Sequence, residues 1–170
     1  DNLRSAGIAT VISSGNSAYV NATGAPGCIS TAVTVGATTK GDLVAAYSNS
    51  AYFMDLLAPG TAINSSIPGG GFSNMSGTSM AAPHVAGAFA VLRSASPDAT
   101  VDMLEAALKR SGLPISDAVV AVAGATPLRT PIVKPRILVK EALDALLEAP
   151  PLVRYVTPEG AGTKDGSSWA

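Results

Sequence analysis

Charge is scarce in this sequence, at 14% of 170 residues, and the formal net charge is only −1. A chain so near neutrality presents no basic face, so neither nucleic acid nor an anionic membrane is expected as a partner. Cysteine occurs once, as Cys28, which excludes an internal disulfide and a metal site made of several thiolates. Cys28 reads either as a buried small hydrophobe or as one end of a bridge to polypeptide outside this sequence. Long apolar runs are missing too, because Pro, Gly and Ser interrupt each one before membrane-spanning length. There is no signal peptide and no initiating methionine. The opening Asp1–Gly7 reads as the last turn of a helix closed by Gly7, and the N-terminus is expected to be a cut. Histidine also occurs once, as His84.

What is abundant is small and apolar. With 47% hydrophobic residues the chain is long enough for one domain with a real core. Ile8–Ser13 and Thr31–Ala37 are β-branched runs suited to buried parallel strands. Leu43–Ala46, Phe53–Leu57 and Ile63–Ile67 are further strand candidates, with Ala58-Pro59-Gly60 as a break. Ser96-Pro97-Asp98 reads as the cap and first turn of a helix that carries Val101, Leu104 and Leu108 inward and ends at Gly112. Residues 113–135 are expected to be loop, broken by Pro114, Pro127, Pro131 and Pro135. An amphipathic helix over 136–147 closes the domain, expected to span residues 1–148. Residues 149–170 read as a linker and the start of a further module, faintly similar to right-handed β-helix repeats. Alternation of strand and helix predicts an α/β fold, a mostly parallel sheet flanked by helices.

One stretch organises the rest: Gly77-Thr78-Ser79-Met80-Ala81-Ala82-Pro83-His84-Val85-Ala86-Gly87. Between Asp55 and Arg93 no side chain is formally charged, which predicts a helix buried on every side. Pro83 is tolerable only near a helix start, so Ser79 belongs at the first turn, beside free amide N–H groups and the positive helix end. There it is either a simple cap or a nucleophile whose oxyanion the amides hold. The eleven residues resemble the nucleophile segment of the subtilisin-like serine proteases, the subtilases. Val33–Ala37 and Asp55–Gly60 are similar to family segments as well, and the order matches the second half of a subtilase catalytic domain. The fold is therefore expected to be subtilisin-like and incomplete.

The resemblance implies that Ser79 attacks the scissile carbonyl of a polypeptide substrate. Asn16 is locally an ordinary turn residue after a strand, but Ser-Gly-Asn resembles the family segment that supplies a side-chain oxyanion donor. Ser13, Ser14 and Gly15 match one wall of the pocket for the residue before the scissile bond, and Gly24, followed by Pro26, matches its floor. His84 is not expected to be the base: five residues along a helix is a rise of about 7.5 Å and a turn of about 500°, so the two side chains diverge. In subtilases this histidine is structural. None of Asp42, Asp55, Asp98 or Asp102 matches the family's aspartate motif, so the catalytic aspartate and histidine are expected on a missing N-terminal half of the domain. The function implied is a secreted or extracellular serine endopeptidase, inactive as this chain alone. An inactive subtilase-like scaffold, or a processed half that pairs with its other half, are the rival readings. No metal site and no cofactor is required, although the family resemblance allows calcium; no loop carries a calcium-ligand pattern. The glycosylation sequons at Asn21, Asn64 and Asn74 are expected by chance in a sequence rich in Ser and Thr.

Overall fold

The computed structural model describes residues 2–117 and 131–148. The expected linker and module beyond residue 148 lie outside these residues. In chain order the elements are α1 (Asn2–Ser5), β1 (Val11–Ser13), β2 (Val33–Thr38), β3 (Leu56–Pro59), β4 (Ile63–Ser66), β5 (Phe72–Met75), α2 (Thr78–Ala95), α3 (Val101–Ser111), β6 (Leu113–Ser116), β7 (Val133–Arg136) and α4 (Val139–Leu147).

A five-stranded sheet runs in the order β1-β2-β3-β7-β6. β1, β2, β3 and β7 are parallel, and β6 joins β7 antiparallel at one edge. β2 is buried along its whole length, which is why Val33–Thr38 reads as a continuous apolar run and not as an alternating one. Its Val33, Val35 and Ala37 form the main core with Val85, Phe89 and Leu92 of α2 and Leu104 and Leu108 of α3. Truncating a side chain such as Leu108, fully buried here, costs about 2–5 kcal/mol.

Four expectations are corrected. β6 and β7 are strands where loop was expected. Pro114 stands directly opposite Pro135 in a position of the ladder where neither N–H would face the other strand, so the β6–β7 bonds lose nothing, and Pro114 lies on an edge strand, where proline is tolerated. Leu43–Ala46 is not a strand; only Val44 bridges Thr38. β3 runs through Ala58 and Pro59 instead of stopping before them. The helix after Ser96-Pro97 begins later, with Thr100 as the cap whose side chain accepts from the N–H of Met103.

Helix α2 departs from expectation in a way that bears on function. Its inner face (Ala81, Val85, Ala88, Phe89 and Leu92) is buried. Its outer face is not: Pro83, Gly87, Ala90, Val91 and Ser94 are exposed. Among the described residues the sheet, α3 and α4 cover one side of this apolar helix and nothing covers the other. Cys28, too, is exposed and not a core residue.

Ion pairs tie α1 to α3, and α3 to the residue that precedes β3. Arg4 of α1 pairs with Asp102 and, at 2.6 Å, with Glu105; Lys109 joins Glu105 at 2.6 Å and Asp55 at 2.7 Å. Burial acts to raise the Glu105 pKa, but hydrogen bonds from Lys109 and Arg4 outweigh it and hold the carboxyl below its ordinary value. Burial likewise acts to lower Lys109, and its bonds to Asp55 and Glu105 reverse that.

Candidate active site

The carboxyl ends of parallel strands and the amino end of the helix packed on them meet at one edge of an α/β domain. Here the convergence is enforced at Gly60, just past β3. A Cβ on Gly60 would lie 2.6 Å from the Cβ of Ala37 and 2.8 Å from the carbonyl oxygen of Gly77. The N–H of Gly77 donates to Gly60 O at 2.8 Å. The start of α2 is thereby pressed against the end of β2.

Ser79 does not cap α2: the N-cap residue is Gly77, which has no side chain to give. The cap comes from far away in the chain. Asn16 Oδ1 accepts from the backbone N–H and from the hydroxyl of Thr78, both at 2.9 Å. Thr78 Oγ1 in turn accepts from the N–H of Gly15 at 3.2 Å. With its oxygen held by two donors, the Asn16 amide must turn its NH2 group the other way, toward Gly77 and Ser79.

That leaves two donors beside one small space. The position a Cβ would take on Gly77 lies 3.5 Å from Asn16 Nδ2 and 3.7 Å from the backbone N of Ser79. Neither donor has a hydrogen-bond acceptor among the described residues. The space is open because residue 77 is glycine. Two unpaired N–H donors at a helix amino end suit an oxygen that carries negative charge.

Ser79 is exposed and faces a hollow of about 440 Å³ between α2 and the β4–β5 hairpin. Ile63, Ile67, Met75, Met80 and Pro83 supply its apolar walls. His84 borders the same hollow, but its Nδ1 is 2.8 Å from the carbonyl oxygen of Met80, one turn back in its own helix. Sequence spacing put the two side chains on diverging faces; in space they share a rim.

The residues matched to the substrate pocket also come together. Gly24 N–H donates to Ser14 O at 2.9 Å, and Gly27 N–H to Gly24 O at 2.7 Å. Ser13 ends β1, with its carbonyl oxygen against Gly27. Ser14 needs correcting: its side chain is fully buried and its hydroxyl donates to Asn49 O at 3.2 Å, so it stands behind the wall and not on its surface. Sequence reading missed Asn49 altogether, since Tyr47-Ser48-Asn49-Ser50 reads as an ordinary polar loop. The carboxylates of Asp42, Asp55 and Glu105 are each engaged by Arg136, Lys109 or Arg4, and no group of three or more His, Cys, Asp or Glu side chains gathers among the described residues.

Residues 1–133 match the family model of the subtilase family. This chain belongs to the subtilases. Proteinase T of Parengyodontium album is 47% identical over 85 residues, half of this chain and 29% of that protein. Alkaline elastase YaB of Bacillus sp. (strain YaB) is 40% identical over 91 residues, 54% of this chain and 24% of its own length. Among solved structures, a protease from Pseudoalteromonas arctica superposes with a TM-score of 0.68 at 31% identity, covering 84% of this chain and 44% of that one. A cold-adapted subtilisin-like serine proteinase gives a TM-score of 0.62 at 35% identity, over 65% of this chain and 41% of the other. The subtilase chain thus spans under a third of the first curated relatives and less than half of these two structures. A protein titled an intracellular serine protease, from Paenibacillus polymyxa, is similar as well, at 47% over 70 residues. No helix among the described residues is long and apolar enough to cross a membrane.

Proposed function

We propose that this chain is the nucleophile-bearing half of a secreted serine endopeptidase, and that Ser79 forms the acyl-enzyme with a polypeptide substrate. The observation that supports the reading is the nearness of Asn16 Nδ2 and the backbone N of the exposed Ser79 to one point beside Gly77, within 3.5 and 3.7 Å of it, with neither donor bonded to an acceptor among the described residues. In acyl transfer the carbonyl oxygen becomes anionic as the serine oxygen bonds to carbon. Donors already aimed at that oxygen stabilise the transition state without having to reorganise.

The proton of the Ser79 hydroxyl needs a base. His84, with Nδ1 directed to its own helix backbone, is assigned a structural part. The base and its carboxylate partner are assigned to a complementary half of the domain, which would dock on the uncovered face of α2 and beside the free edge of β1, and close the hollow at Ser79. The exposed small residues Gly87 and Ala90 suit the close approach of another helix. Ser13 and Gly24, with Gly15 between them and Asn16, form the binding wall for the residue before the scissile bond.

The test is reconstitution. This chain alone is expected to leave fluorescent casein uncleaved; mixed with a separately produced N-terminal half it is expected to hydrolyse it, and Ser79→Ala to abolish that activity. Turnover by the lone chain that vanishes in Ser79→Ala would refute the division of labour. A complex that forms but shows no Ser79-dependent turnover would favour the rival, an inactive subtilase scaffold.

A further inference from the structure

We infer that Asn49 is a positioning residue for the oxyanion donor, holding the loop that carries Asn16 by one fully buried amide. This rests on the role proposed above for Asn16. The loop from Ser14 to Tyr19 has no regular structure of its own, so its geometry must be imposed from outside. Asn49 is 1% exposed and imposes it from one point. Its Nδ2 donates to Ser14 O at 2.8 Å, and its Oδ1 accepts from the N–H groups of Ser17 at 3.0 Å and Tyr19 at 2.9 Å. Its own N–H donates to Gly15 O at 2.9 Å. The chain on both sides of Asn16 is thus held by Asn49, and the Asn16 side chain itself is held by Thr78.

Gly15 shows how tight the clamp is. It has a φ of +102°, and a Cβ there would sit 2.4 Å from Asn49 Nδ2. A side chain at residue 15 would push the amide out of its seat. A buried amide with both ends bonded is also costly to disturb: removing it strands the N–H groups of Ser17 and Tyr19 and the second lone pair of Ser14 O. A merely structural asparagine would spread its bonds over the core, whereas four of these contacts are to the two neighbours of Asn16 on one side and the first and third on the other.

Two measurements test this. In the 15N-labelled full chain carrying Asn49→Ala, the Ser17 and Tyr19 amides are expected to exchange at least about tenfold faster, with the Asn16 side-chain NH2 signals shifted or broadened, while Val35 and Leu56 exchange as before. In the complex with the N-terminal half, Asn49→Ala is expected to lower kcat on the order of tenfold to a hundredfold with KM within about twofold. Added to Asn16→Ala it is expected to cost no more than about twofold further, because its effect passes through Asn16. If Asn49→Ala does not fold, Asn49→Asp keeps the acceptor for Ser17 and Tyr19 but sets an oxygen against Ser14 O, and is expected to shift the Asn16 NH2 signals and lower kcat in the same direction. Unchanged Asn16 signals, or full additivity with Asn16→Ala in an active complex, would overturn the inference while leaving the protease reading intact. A wild-type complex without Ser79-dependent turnover would overturn both.

Discussion

Asn16 Oδ1 and the backbone N–H of Thr78 lie 2.9 Å apart, across 62 positions of sequence. One side chain therefore touches two things: its oxygen caps α2, and its nitrogen lies 3.5 Å from where a Cβ on Gly77 would sit. The two can be separated by substitution. Asn16→Ala is expected to lose both, at a stability cost of about 0.5–2 kcal/mol for the cap and a fall in kcat of about a hundredfold to a thousandfold in the reconstituted protease. Asn16→Asp keeps an oxygen for Thr78 and places negative charge at a helix amino end, so its melting temperature should equal or exceed that of the wild type. Its kcat should fall as far as that of Asn16→Ala. An Asn16→Asp chain that is as active as the wild type would remove the amide nitrogen from the mechanism.

Gly77→Ala probes the space itself. The added methyl would occupy the point that lies within 3.5 and 3.7 Å of Asn16 Nδ2 and the backbone N of Ser79. A drop in kcat of tenfold or more, about 1.4 kcal/mol of transition-state stabilisation, is expected, with little change in KM. Steady-state kinetics on a short amide substrate would show it.

The uncovered face of α2 can be marked by Ala90→Arg. As a substitution at an exposed site it should alter the chain's own stability by no more than about 0.5 kcal/mol. It should nevertheless abolish binding of the N-terminal half, measured by size-exclusion or calorimetry. Undiminished binding would place the complement somewhere else.

Acid should loosen the chain through Glu105. Its pKa is held below the ordinary value in the folded state, so the stabilisation is present above the unfolded pKa, about 4.3, and is lost as pH falls through the folded one. Lys109 is shifted upward, so its contribution is present below about 10.4 and is lost as pH rises through its folded pKa. Glu105→Gln should flatten the acid limb of a melting-temperature profile and lower the neutral plateau. A steep acid limb that survives in Glu105→Gln would move that role to another carboxyl.

The central pieces of the fold were legible because each is locally consistent. Val33–Ala37 is a buried β-branched run, Gly7 ends a short helix, and Thr78 to Ala95 carries apolar residues at every turn. The prolines misled the reading of residues 113–135, since nothing local reveals that Pro114 and Pro135 face each other across a rung. The pairing of Asn16 with Thr78 was hidden for the same reason: residue 77 cannot cap its own helix, and the side chain that does so sits more than sixty residues earlier. Asn49 was invisible because a buried asparagine and a loop asparagine look alike until their partners are known. The bare flank of α2 was missed in another way. An absence of charge says that a helix is apolar, but not that every face of it is packed among the described residues.

β1 stands at the margin of the sheet, with three residues paired to β2 on one side and no strand on the other among those described. Such a margin is indiscriminate about what it accepts. A second copy and any extended peptide present the same ladder of carbonyls and amides, so at high concentration the chain's own margin is a seat for its neighbours. A strand three residues long keeps that seat short, and handling at micromolar or lower concentration keeps it empty.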